Sequence, residues 1–270
     1  MENTRQKISI RPLSSGSSGN CILVRSGKCA VLIDCGITGK AAEKLLVEAG
    51  VSPTSLCAII VTHEHTDHIS GVGVLCRRYK IPVYATLGTW KAMINSIGKI
   101  DTSLIRYIAA EVPFVISGVT FHPFATSHDA RESIGLLFTD GNKHGAVVTD
   151  LGTLSRHIYD LLSQCSIAMI EANHDERMLI SGSYPQHLKD RILSDKGHLS
   201  NKLCGALCAK LVREGCLQQI ILGHLSSDNN TPRKAYESVA ASIEATGRCV
   251  GEDVKLFVAN RYCISEELVD

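Results

Sequence analysis

Several apolar, β-branched runs in this chain stop abruptly on a residue able to bind a metal. Cys57-Ala58-Ile59-Ile60-Val61 leads straight into Thr62-His63-Glu64-His65-Thr66-Asp67-His68, with four ligand-type side chains in six residues. Asp34 closes Ala30–Ile33, Asp150 closes Gly145–Thr149, His224 closes Gln219–Gly223, and His128 follows Val119–Phe124. Continuous apolar runs of this kind read as core strands covered on both faces. A sheet fixes side chains at its strand ends, which holds coordination geometry better than a free loop. Extended backbone alternates, so His63, His65 and Asp67 project to one side of the strand's exit, and a helix expected over 67–79 redirects His68. Imidazoles with a carboxylate suit Zn²⁺ or a similar borderline ion, and ligands packed this tightly suggest two ions.

A chain of 270 residues with 44% hydrophobic and 20% charged content has the balance of an ordinary globular protein, here expected as one domain over 1–270. A net charge of +1 excludes a strongly basic surface, so any nucleic-acid contact must come from a local patch. No apolar run is long enough to cross a bilayer, and Met1–Lys7 lacks the apolar stretch of a leader, so a cytoplasmic protein is expected. The eleven cysteines are odd in number, scattered and free of any Cys-x-x-Cys pair, which reads as small core hydrophobes in a reducing compartment. Cys204 and Cys208, four apart on an expected helix, have a spacing that could also share a ligand.

The N-terminal strands are expected at 8–13, 21–25 and 29–34, with the Ser/Gly-rich loop Ser14–Asn20 between the first two. That loop reads either as a flexible linker or as a tight turn whose amides and hydroxyls face an anion, with Ser18 and Asn20 as candidate substrate contacts. Helices at 39–49, 67–79 and 87–96 alternate with strands at 57–61 and 82–85. A β-rich stretch follows, with strands near 104–109, 112–116, 119–124, 133–139 and 143–149. Helices at 154–162, 200–213 and 232–245 then alternate with strands at 166–171, 218–223 and 254–258. Two sheets packed between helical layers, a four-layer α/β/β/α sandwich, accommodate this order, and no internal repeat is evident.

These motifs together resemble the metallo-β-lactamase superfamily over nearly the whole chain. The resemblance implies that His63, His65 and His128 hold one metal, that Asp67, His68 and His224 hold a second, and that Asp150 bridges them. It also implies that Asp34 supports the ligand loop from behind. A hydroxide between two such ions is available at neutral pH, Asp67 can accept a hydrogen bond from it, and an ester, amide or phosphodiester can be hydrolysed. Di-iron relatives carry glutamate where this chain has His65, which turns the expectation from redox to hydrolytic chemistry.

Glu171-Ala172-Asn173-His174-Asp175 and Gly197-His198-Leu199-Ser200-Asn201 resemble the segments that carry a Glu and a His in the superfamily's nucleases. There His198, oriented by Glu171, aids departure of the leaving oxygen; the alternative is a capping glutamate and an ordinary residue before a helix. His174 is a ligand, a phosphate contact or a surface residue, and Asn201 a candidate substrate contact. Lys189, Arg191, Lys196 and Lys202 form a strip able to grip phosphates, or else one solvated face. The full set resembles the YycJ/WalJ subgroup, which implies a 5′→3′ DNA exonuclease using Zn²⁺ or Mn²⁺ in mismatch repair. DNA is favoured over RNA as substrate. A thioesterase or cyclic phosphodiesterase on the same centre, a ribonuclease and a non-catalytic scaffold are the alternatives, and the oligomeric state is left open.

Overall fold

The computed structural model describes residues 7–270, so the expectation of no leader falls largely outside the described residues. The first sheet opens with an antiparallel meander of β1 (Ile8–Ser14), β2 (Cys21–Ser26) and β3 (Cys29–Ile33). Parallel strands β4 (Ala58–Ile60), β5 (Val83–Thr86) and β6 (Ile105–Ile108) extend it. The second sheet repeats that plan: β7 (Phe114–Ile116), β8 (Val119–Ala125), β9 (Ile134–Thr139) and β10 (His144–Val148) are antiparallel. β11 (Ile167–Glu171), β12 (Gln219–Gly223) and β13 (Lys255–Val258) then add in parallel. A two-residue strand, β14 (Leu268–Val269), pairs with β1 and completes the first sheet.

Alternation along the strands explains the layers. In β3, Val31 and Ile33 face the second sheet beside Phe121, Phe138, Val147 and Ile221, while Ala30 and Leu32 face helices. Those helices are α1 (Gly39–Glu48), α3 (Val72–Tyr79) and α4 (Leu87–Met93); α5 (Arg156–Leu162), α8 (Asn201–Arg213) and α9 (Pro232–Glu244) cover the second sheet. Both faces of each sheet are therefore covered except at the edge strands β6 and β7, where Tyr107 and Val115 are exposed, and the architecture is the four-layer α/β/β/α sandwich.

The single helix expected over 67–79 is instead two: α2 (Thr66–Ile69) and α3, broken at Ser70-Gly71. The break has a tertiary cause. Gly71 N–H bonds the Cys35 carbonyl at 2.8 Å, and a Cβ on Gly71 would lie 2.4 Å from the Ile37 carbonyl oxygen. Two further helices, α6 (Glu176–Ser181) and α7 (Gln186–Leu193), lie between the Asn173-His174 and Gly197-His198 motifs and have no counterpart in the expected element list.

Candidate metal centre

The carboxyl ends of β3 and β4 in one sheet, and of β10, β11 and β12 in the other, meet at one edge of the sandwich. Asp34, Asp150 and His224 each sit one or two residues past a strand with φ of 60°, 57° and 55°, a left-handed turn that aims the side chain back across the strand ends. The Thr62–His68 run leaves β4 toward the same point, and His128 arrives from the loop after β8.

Two groups of donors result. His63 Nε2 and His65 Nδ1 are 3.1 Å apart, and His128 Nε2 is 3.3 Å from the same His65 nitrogen. Asp67 Oδ2 lies 3.5 Å from His68 Nε2 and 3.4 Å from His224 Nε2. Asp150 stands between the groups, with Oδ2 3.3 Å from His68 Nε2 and Oδ1 3.6 Å from His128 Nε2.

Hydrogen bonds behind the rings decide which nitrogen each offers. His68 Nδ1–H donates to Asp34 Oδ2 at 2.7 Å, and the Thr62 hydroxyl donates to the same oxygen at 2.8 Å. That leaves the Thr62 oxygen to accept from His63 Nδ1–H at 3.0 Å. His128 Nδ1–H donates to the Gly197 carbonyl at 3.1 Å, and His224 Nδ1–H to Glu171 Oε1 at 2.7 Å. The Nε2 atoms of these four rings therefore point inward.

These residues fit divalent cations. Ligand atoms around a tetrahedral ion with metal–nitrogen bonds of ~2.0–2.1 Å are about 3.3 Å apart, close to the spacings found. Bare lone pairs at such distances repel one another unless a cation or proton lies between them. Asp150 Oδ2 is buried and accepts no hydrogen bond, an orphaned anionic atom that a cation would satisfy. Burial alone would lower the His68 and His224 pKa values, yet Asp150 and the other nearby carboxylates raise both, His224 to about 10. Burial does lower His63 and His128, leaving them neutral donors. Asp150, Glu171, His198 and His224 also come within reach of one another, but both Glu171 oxygens are already occupied.

Glu171 is fully buried. Oε1 accepts from His198 Nδ1–H at 2.9 Å as well as from His224, and Oε2 accepts from the Leu151 and Leu199 amides at 2.9 and 3.0 Å. Burial would raise its carboxyl pKa, but the two histidines hold it well below the ordinary range. The His198 ring lies 5.1 Å from that of His128 and 5.4 Å from that of His224, between the two donor groups. With Nδ1 engaged, Nε2 is the nitrogen left for a substrate.

The remaining candidates divide. Asn20 is buried, its amide 3.2 Å from His68 Nε2 and 3.4 Å from Asp67 Oδ2; it belongs to the support of the ligands. Ser18 is exposed on its loop. His174 is buried with neither ring nitrogen partnered, and burial lowers its pKa. Asn201 is not brought to the surface: its amide exchanges hydrogen bonds with that of Asn230 at 2.9 and 2.8 Å. Lys189 is tied to the Ile180 carbonyl at 2.7 Å. Arg191 pairs with Asp129, whose other oxygen lies 3.4 Å from His128 Nε2. Asp129, Thr62 and Ser15, whose Oγ accepts from His224 N–H at 2.8 Å, have no individual role in the sequence reading; Asp129 adjoins His128 and Ser15 lies in the Ser14–Asn20 loop, while Thr62 carries no signal.

A cluster of histidine and aspartate side chains able to hold metal, at the shared edge of an α/β/β/α sandwich, defines a class, and the chain belongs to the metallo-beta-lactamase superfamily, whose pattern matches residues 15–154. It is 38% identical over 240 residues to exodeoxyribonuclease YycJ of Bacillus anthracis, covering 89% of this chain and 90% of that one. It is also 38% identical over 247 residues to exodeoxyribonuclease WalJ of Streptococcus pneumoniae serotype 2, covering 91% of each. Among solved structures, the metallo-beta-lactamase fold protein YhfI from Bacillus subtilis superposes with a TM-score of 0.72 at 16% identity, covering 96% of this chain and 99% of that one.

Proposed function

We propose that this protein, as one domain over 1–270, is a two-metal phosphodiesterase acting as a 5′→3′ DNA exonuclease in the cytosol, with DNA repair as its setting. The observation that carries the proposal is Asp150, one oxygen toward each donor group, with His198 standing between those groups. The names of the two 38%-identical relatives supply the choice of DNA.

His63, His65 and His128 would hold one Zn²⁺ or Mn²⁺, and Asp67, His68 and His224 the other, with Asp150 shared. Ions bound there supply Lewis acidity toward a phosphoryl oxygen and acidify water. Asp67, partly exposed, accepts the hydrogen bond of the attacking water. His198 Nε2 delivers the proton to the departing oxygen, and Glu171 holds that ring in the tautomer and orientation the step requires. Because Glu171 also holds His224, it is a positioning residue for both jobs. Arg191 and the exposed Lys196 and Lys202 line the approach as phosphate contacts. A reducing compartment is consistent with all eleven cysteines being free, and no helix among the described residues is long and apolar enough to cross a membrane.

The test is digestion of 5′- and 3′-labelled DNA and RNA with Mn²⁺ or Zn²⁺. We expect mononucleotides released from the 5′ end of DNA, no cleavage with chelator or with Asp67→Asn, and a loss of about 10²–10⁴ in kcat for His198→Ala with its bound metal retained. Equal cleavage by Asp67→Asn and the wild type would reject the site, and faster turnover of a thioester than of DNA would reject the substrate.

A further inference from the structure

A cavity of about 330 Å³ lies beside the metal centre, at the carboxyl ends of β12 and β13 and against the start of α9. It is separate from a larger one of about 440 Å³ at the amino ends of those strands, around Gln219 and Lys255, which shares no residue with the metal centre. The smaller cavity does connect with the chemistry. Ser15, which lines it, holds the backbone of His224, and Leu225, the next residue, forms part of its wall. In open α/β sheets ligands collect at the carboxyl ends of parallel strands, where loops rather than helices close the layer.

The lining has two characters. Leu225, Pro232 and Val258 give an apolar surface, while Ser226 and Arg261 give hydrogen-bonding groups. Arg261 is fixed, with Nη2 donating to the Leu225 carbonyl at 2.8 Å. It reaches this position over Gly16, where a Cβ would come within 2.7 Å of the guanidinium. At the rim stands Tyr262, 75% exposed and, among the described residues, stacked on no other ring. An unpartnered aromatic beside a small, partly apolar cavity is a platform for a flat ring with polar edges. The volume is at the lower end of small-ligand sites and suits one nucleoside rather than a helix of nucleic acid.

We infer that this cavity is a base pocket: the nucleobase next to the scissile phosphate stacks on Tyr262 and enters against Pro232 and Val258, while its phosphate lies at the metal centre. The inference rests on the phosphodiesterase reading and adds the element that seats one nucleotide at a time. Stacking reads a π-face rather than a base edge, so the pocket tolerates every base.

The test compares binding of dAMP and 2-deoxyribose 5-phosphate to the metal-loaded protein by calorimetry, alongside binding of inorganic phosphate, which has no ring to stack. The wild type should bind dAMP about tenfold or more tightly than the sugar phosphate. Tyr262→Ala, and Ser227→Trp, which fills the cavity from an exposed position, should bring that ratio near one, while Tyr262→Phe keeps it. Binding of inorganic phosphate should be unchanged in all three. Equal affinity for the two ligands in the wild type, or an unchanged ratio in both Tyr262→Ala and Ser227→Trp, would overturn the pocket. Loss of the proposed DNA activity leaves a different mark: dAMP is still preferred, but labelled DNA is not degraded.

Discussion

Left-handed backbone at Asp34, Asp150 and His224 costs each residue about 1–3 kcal/mol unless its surroundings hold it there. At Asp34 the hold is visible. The carboxylate accepts from Thr62 N–H, the Thr62 hydroxyl and His68 Nδ1–H, all without solvent. Asp34→Ala leaves those donors buried and unpaired, so it should lower the unfolding free energy by about 3 kcal/mol in a denaturant titration. It should also weaken metal binding about 10- to 100-fold, because the His68 ring loses its guide. Asp34→Asn, which keeps one acceptor, should lose less of both. A metal affinity unchanged in Asp34→Ala would show that His68 is oriented by something else. At this scale the donor residues were legible in the sequence by chemical type and strand-end position. The hidden features were the uses of second atoms: Glu171 Oε1 shared by two rings, and Asn201 spent on Asn230.

Among the elements, strands announced themselves because dry faces on both sides demand unbroken apolar runs. Helices were legible only where a long apolar stripe faces a sheet. α6 and α7 are six and eight residues long and bury only Leu179 and Ile192 respectively. They are held by local devices such as the Asp175 side chain accepting from Met178 N–H at 2.8 Å, which leave little periodic signal. The α2–α3 break was likewise hidden, since it depends on Cys35, far off in the chain. The α6–α7 pair presents Arg191 at the rim of the metal centre. If Arg191 grips a phosphate, Arg191→Ala should weaken DNA binding similarly for all sequences. The slope of log affinity against log salt should then fall by about 0.7–0.9 in a fluorescence titration. A slope identical to wild type would leave Arg191 as the partner of Asp129 only.

For the molecule as a whole, the two sheets follow one plan, three antiparallel pairings and then three parallel ones, although the sequence shows no repeat between the halves. Asp34 after β3 and Asp150 after β10 hold equivalent places, so the same residue type in the same left-handed turn recurs although the segments around it show no repeat. Each proposed ion draws on both sheets: His63 and His65 with His128, and Asp67 and His68 with His224. Metal should therefore staple the sandwich. Each ion at about 100 times its dissociation constant adds roughly 2.7 kcal/mol, so two such ions raise the Tm of a chain of this size by about 10 °C or more over the chelated protein. A Tm indifferent to chelation would mean that the donors do not bind metal across the sheets. The sequence by itself determined every strand except β14, the layer order and the kinds of ligand, because local alternation and chemical type do not depend on distant residues. Only the tertiary structure decided which atom of each ring points inward, which carboxylate stands between the donor groups, and that Ser15, Leu225 and Arg261 enclose one cavity. Those facts are distances between residues as many as 246 positions apart, and they exist only once both sheets have packed.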